Sequence, residues 1–184
     1  MKITETAIKG LLVIEPRVFD DPRGYFYESY HKSKFAEAGI KADFVQDNQS
    51  LSQKGAVRGL HGQVDPFAQG KLVRVIQGSV IDVAVDIRKG SPTYGKHVSV
   101  ELSGDNKLQF WIPAGFLHGF ATLEDNTIFT YKVNNYYNKE SEIGVIWNDP
   151  DLGIDWGIAK NEVLLSPKDE LLPAFKSFQS PFDR

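Results

Sequence analysis

Residues 79–87 alternate without interruption, Ile81, Val83, Val85 and Ile87 falling on one side of an extended backbone and Val80, Asp82, Ala84 and Asp86 on the other. A period of two sustained over this length excludes a helix, whose period is about 3.6, and turns Asp82 away from the strand's main apolar face. Strand-like segments recur along the chain at 10–15, 24–30, 44–50, 94–102, 107–112, 120–123, 127–133 and 143–147, with two more in the stretch from Arg58 to Val75. Turn chemistry separates them: Asp20-Asp21-Pro22-Arg23-Gly24, Gln77-Gly78, Gly104-Asp105-Asn106 and Glu124-Asp125-Asn126. Only residues 31–38, stopped by Gly39, and a segment begun by Ser166-Pro167 read as helix. The expected fold is all-β, an antiparallel barrel or double-sheet roll with short flanking helices.

Neither repeats nor a linker divide the sequence, so one domain over residues 1–184 is expected. A chain of 184 residues buries about 70% of its unfolded surface without help from staples. The sequence has no cysteine, which excludes disulfides, thiolate nucleophiles and thiolate-bound zinc and suits a reducing compartment, hence a cytoplasmic protein. Residues 1–10 carry scattered charges with no signal-peptide pattern, and the apolar run 80–87 is broken by Asp82 and Asp86, so no membrane span is expected. With 21 basic against 24 acidic residues, the net charge of −3 offers no basic surface for nucleic acid. An anionic ligand would have to be met locally.

Local cationic chemistry is concentrated in Arg58-Gly-Leu-His61-Gly-Gln63 and Gly70-Lys71-Leu-Val-Arg-Val. A guanidinium, an imidazole and an ammonium on two short strands can bind an anion and abstract a proton if they share a cavity. Taken alone, a histidine such as His61 on a strand is more often a hydrogen-bonded structural residue. Phe44-Val-Gln46-Asp47-Asn48-Gln49-Ser50 is too polar for a core strand, so its amides meet either a ligand or a hydrogen-bonded rim. Glu28 falls among aromatics, and Arg23 sits at a strand mouth.

Pro113-x-Gly115-x-x-His118 resembles the second motif of the cupin barrels, whose metal-binding members carry a His-x-His pair and a Glu on an earlier strand. Here that strand reads His61-Gly62-Gln63 and no Glu follows before Gln77, which leaves the ligand set incomplete for a metal. General acid–base chemistry remains, with His61 as base, Tyr131 as acid, and Asp82 or Asp169 orienting an imidazole.

Arg58-Gly-Leu-His61, Gln69-Gly-Lys71-Leu-Val-Arg-Val, Asp82-Val-Ala-Val-Asp-Ile-Arg, Trp111-Ile-Pro-x-Gly-Phe-x-His118-Gly-Phe, Tyr131-Lys-x-x-Asn-Tyr-Tyr137 and Trp147-Asn-Asp together resemble the dTDP-4-dehydrorhamnose 3,5-epimerase family. The likeness runs in order from about Ile8 to beyond Asp169. It implies a cupin-type jelly roll without metal or other cofactor, a homodimer, and a dTDP-linked 4-keto-6-deoxyhexose as substrate. It implies further that His61, supported by Asp169, takes a proton beside the carbonyl, that Lys71 faces the carbonyl oxygen, and that Tyr131 returns a proton from the opposite side. Asp82 and His118 would form a second pair near the sugar. Arg23 and Arg58 would hold phosphate, Glu28, Gln46, Asp47 and Asn48 would make polar contacts, Tyr137 would stack on thymine, and Glu142 and Lys168 would touch substrate. The rival readings are a mono-epimerase on a similar sugar, a metal-dependent oxygenase and a non-catalytic sugar-nucleotide binder. One departure is Gly62, where the family usually has Phe or Tyr.

Overall fold

Two antiparallel sheets face one another in the computed structural model, which describes residues 1–183; Arg184, the last position of the expected domain, lies outside the described residues. The strands are β1 (Lys2–Glu5), β2 (Leu12–Glu15), β3 (Val18–Asp21), β4 (Gly24–Tyr27), β5 (Gln46–Ser52), β6 (Val57–Gln63), β7 (Lys71–Gln77), β8 (Ser79–Asp86), β9 (His97–Ser103), β10 (Gln109–Ile112), β11 (Phe116–Thr122), β12 (Thr127–Val133) and β13 (Glu142–Gly144). One sheet has the order β1-β2-β10-β7-β12-β5, the other β13-β6-β11-β8-β9, and β3 and β4 form a separate hairpin. Apart from β1–β2 and β8–β9, neighbours in each sheet are not consecutive in sequence, as in a jelly roll.

Both faces of β8 are buried, and each has its own cover. Val80 and Ala84 join Val73, Val75, Phe110, Phe120 and Phe129 in a cluster between the sheets. Val83, Val85 and Ile87 pack instead against Trp147, Leu152 and Trp156 of the C-terminal third, which wraps the outside of the five-stranded sheet. The strand's main apolar face therefore looks outward under this cover, and Asp82 points between the sheets. The outer face of the six-stranded sheet is covered over Ile14, Leu72 and Trp111 by Phe35 of the helix α1 (Lys32–Glu37) and by Ile40.

Local expectations are corrected at three places. Val18–Asp21 is a strand whose last two residues had read as turn, because Asp20 and Asp21 pair with Tyr25 and Gly24 across a tight hairpin. An unforeseen strand, Lys2–Glu5, pairs with β2. The segment after Ser166 makes a single 3-10 turn, Asp169–Leu171, rather than an α-helix. Leu171 there is 84% exposed, so no apolar stripe anchors a longer helix, and Pro173 disfavours helical backbone just before it.

Candidate active site

Arg58 and His61 are three residues apart on β6, a spacing that puts side chains on opposite faces of a regular strand. Both nonetheless line one cavity of about 630 Å³. His61 pairs with His118 and Arg58 with Phe120, so three steps on β6 oppose two on β11. This is a bulge, and Gly59 makes it possible. Its φ is +122°, and a Cβ there would come within 2.6 Å of the Gly119 Cα, so only glycine combines that backbone with that approach.

The cavity lies between the sheets. His61, Arg58 and His118 come from the five-stranded sheet, while Lys71 on β7, Tyr131 on β12 and Asn48 on β5 come from the six-stranded one. His61 Nε2 donates to Asp169 Oδ1 at 2.6 Å. That contact leaves Nδ1 as the ring nitrogen with a lone pair to offer. Burial alone would raise the Asp169 carboxyl, but hydrogen bonds from His61, the Ser166 hydroxyl and the Gly59 N–H outweigh it and hold the group below the usual carboxylate range. The 3-10 turn thus delivers a charged carboxylate to the imidazole.

Lys71 is half-buried with its side chain in the cavity wall, and desolvation lowers its ammonium to about 8 against the opposing pull of Asp82 and Glu142. Burial also raises the Tyr131 phenol, against Arg58 nearby, which keeps it a proton donor through neutral pH. His118 Nε2 lies 2.8 and 3.0 Å from the two oxygens of Asp82, both groups buried. Desolvation dominates both, raising Asp82 and lowering His118, and Phe129 stacks on the His118 ring at 6.2 Å.

The polar strand β5 turns out to be a sheet edge that also borders the cavity. Gln46 donates to Asn48 Oδ1 at 2.9 Å and accepts from the Tyr137 N–H at 3.3 Å. Asp47 lies on the outer face in an ion pair with Lys132 at 3.0 Å, because successive residues of a strand alternate faces. Arg58 Nε donates to Ser52 Oγ at 3.1 Å. Tyr137, exposed at the rim, donates to Glu142 at 3.0 Å, and Glu142 also pairs with Lys168. Arg23 and Glu28 are not brought to this cavity. Arg23, its side chain 90% exposed, pairs with Asp21 on the β3–β4 hairpin, and Glu28 pairs with Lys34 at 2.8 Å.

The Gln63 amide is hydrogen-bonded at both its nitrogen and its oxygen. Its Nε2 donates to the carbonyls of Phe67 and Tyr136, and its Oε1 accepts from the Asn138 N–H at 2.8 Å. It fastens the rim of the cavity, and among the described residues no three His, Asp or Glu side chains are grouped to hold a metal. Gly62 points to the other side, where a Cβ would meet Leu117 and the Phe116 carbonyl at 3.3 Å. The missing family ring thus concerns the packing behind β6 and leaves His61's direction alone. Sequence reasoning missed Ser166 as a support of Asp169, having read it only as a helix cap, and Phe120 as a cavity wall.

Two facing antiparallel sheets with such a cavity between them define a cupin-like jelly roll. Residues 5–177 match the family model described as dTDP-4-dehydrorhamnose 3,5-epimerase. The chain is 54% identical to the dTDP-4-dehydrorhamnose 3,5-epimerase of Shigella flexneri over 92% of its own length and 93% of the relative's. Among solved structures, it is similar to the dTDP-6-deoxy-D-glucose-3,5-epimerase of Legionella pneumophila Philadelphia 1 in complex with dTDP-4-keto-L-rhamnose, at a TM-score of 0.93 and 50% identity over 97% of this chain and 94% of that one. It is also similar, at a TM-score of 0.88 and 33% identity over 94% and 87%, to ChmJ, a 3′-monoepimerase from Streptomyces bikiniensis in complex with dTDP-quinovose. The chain belongs to the dTDP-4-dehydrorhamnose 3,5-epimerase family, a family of isomerases.

Proposed function

We propose that the protein inverts C3 and C5 of dTDP-4-dehydro-6-deoxy-D-glucose to give dTDP-4-dehydro-L-rhamnose. The observation that carries this reading is that His61 and Tyr131 come from opposite sheets and line one cavity, with Lys71 beside Tyr131's strand. Inversion needs a base on one side of the ring and an acid on the other. The hydrogens at C3 and C5 both flank the C4 carbonyl, so each can leave as a proton once the enolate is stabilised.

In this mechanism His61 Nδ1 takes the proton, and Asp169 stabilises the imidazolium that results. The Lys71 ammonium meets the charge developing on the C4 oxygen, an effect commonly worth ~3–4 kcal/mol per donor. Tyr131 then protonates the carbon from the other side. Asp82 and His118 close the floor of the site, and Arg58 with Asn48 faces the nucleotide portion. Tyr137 at the rim is suited to stack on the thymine, with Gln46 holding its backbone.

Arg23 and Glu28 enter this reading through a homodimer. Arg23 is carried on a hairpin whose Phe19, Tyr25 and Phe26 are exposed, Phe26 to 70%, and a second copy provides a cavity for an arginine that does not reach its own. Asp47 contributes through Lys132 by shaping the edge of β5. The lack of cysteine and the sugar-nucleotide substrate suit work in the cytoplasm with neither membrane nor nucleic acid as partner, and no helix among the described residues is long and apolar enough to cross a membrane.

Incubation with substrate in deuterated water tests the proposal. Deuterium is expected at both C3 and C5, and its absence from both rejects it. The similarity to a 3′-monoepimerase sustains a second reading, inversion at one centre only. The stereochemistry of the product decides between the two.

A further inference from the structure

Glu142 and Lys168 read, from sequence, as two separate substrate contacts, but in the structure they are paired with each other. Glu142 also accepts from Tyr137, so one carboxylate ties together β13, the rim segment and the C-terminal turn. Lys168 immediately precedes Asp169, the partner of His61. Apart from the bonds Asp169 itself makes to His61, the Gly59 N–H and Ser166, that turn is held by its own short backbone bonds to Ser166 and Lys168 and the Ile146–Pro173 bond just beyond it, and Leu171 is exposed. Register adds a second relation. Glu142 faces Gln63 and Gly144 faces His61, which puts Glu142 one diagonal step from His61 on the same face of the sheet.

We propose that Glu142 is a positioning residue, which through Lys168 fastens the turn that carries Asp169 onto His61 and whose charge offsets the ammonium of Lys71. The space around Lys71 is faced by Asp82 of β8, His118 of β11, His61 and Arg58 of β6, Tyr131 of β12 and Glu142 of β13. Asp82 is committed to His118. Glu142 is thus the other carboxylate that favours protonated Lys71, and the effect is mutual with its own ionisation. Burial opposes the Glu142 charge, but Lys168, His61 and Tyr137 outweigh it and hold the group below the ordinary glutamate range.

The inference rests on the epimerase reading, and its test separates the two. Glu142→Gln is expected to shift the alkaline limb of the exchange-rate profile to lower pH, as loss of its charge removes support for the Lys71 proton. It should also broaden away the downfield His61 imidazole N–H proton signal, assigned by its loss in His61→Asn and observed without substrate. Lys168→Met should lose the same signal without lowering the limb, and Lys168→Arg should restore it, with near-native thermal midpoints marking the variants as folded. A preserved imidazole signal in Glu142→Gln overturns the fastening role, and an unmoved limb with the loss confined to KM overturns the charge role. Wild-type protein that shows no solvent exchange rejects the epimerase reading instead, while the imidazole signal still decides whether Glu142 fastens the turn.

Discussion

Replacing His61 by Asn should reduce deuterium uptake at C3 and C5 by about 10²–10⁴-fold, the usual range for losing a general base. Tyr131→Phe should leave much of the exchange and lose inversion, so that washed-in label accompanies unchanged stereochemistry; equal loss of both would remove Tyr131 from the role of acid. Lys71 sets the alkaline side. Its ammonium is the working form and is lowered to about 8 by burial, so activity should fall as pH rises through about 8, which a pH–rate profile measures directly. In stability the sign is reversed: an unfolded lysine binds its proton up to about 10.4, so the cost of enclosing Lys71 is full below about 8 and fades as pH rises from there towards about 10.4, with stability rising over that window. These residues were legible in the sequence because their chemical types are rare on apolar strands. Asp169 was legible only as an alternative to Asp82 until family likeness chose it, because nothing in its local sequence says that the turn reaches back to a histidine more than a hundred positions earlier.

At the scale of elements, the alternation of residues 79–87 announced β8, and the Gly, Asn and Asp turns announced where several of the other strands end. The bulge in β6 was not announced. A glycine between Arg58 and Leu60 reads as a weak point in a strand until Gly119 is seen pressed against it from β11. Gly59→Ala should therefore destabilise the protein by about 2–4 kcal/mol through strain at positive φ and the clash, seen as a fall of several degrees in Tm. If the variant survives, Arg58 and His61 should no longer share a cavity. A second element-scale test lies at the end of β8. Asp86 is buried, yet Arg88, Thr93 and Ser91 more than offset the cost of burial and hold its carboxyl at about 2. A depressed carboxylate stabilises above its unfolded value near 3.9 and ceases to do so as pH falls towards 2. Asp86→Asn should accordingly lose about 2 kcal/mol at neutral pH and show a flatter stability curve between pH 4 and 2, measured by urea unfolding.

For the molecule as a whole, strand count and turn spacing pointed to an antiparallel barrel or double-sheet roll and family likeness to the jelly roll, whereas nothing pointed to the two sheets' opposite covers. Residue patterns could not say that the C-terminal third wraps one sheet and the helix α1 the other, because both are long-range packing. The exposed hairpin residues Phe19, Tyr25 and Phe26 are likewise silent in sequence and speak only once the chain is folded. Sedimentation should give a dimer mass, and Phe26→Asp should shift it towards monomer while weakening nucleotide binding along with Arg23→Ala; a monomer that binds dTDP with unchanged affinity would falsify the shared-site reading. Gln63 has a consequence for anyone wishing to rebuild this barrel around a metal. A histidine put in its place would supply the missing imidazole but would release three backbone groups, at Phe67, Tyr136 and Asn138, and with them the rim on which Tyr137 is mounted. The position that a metalloenzyme would spend on coordination is here a clasp, so any conversion must first find another way to keep the doorway shut.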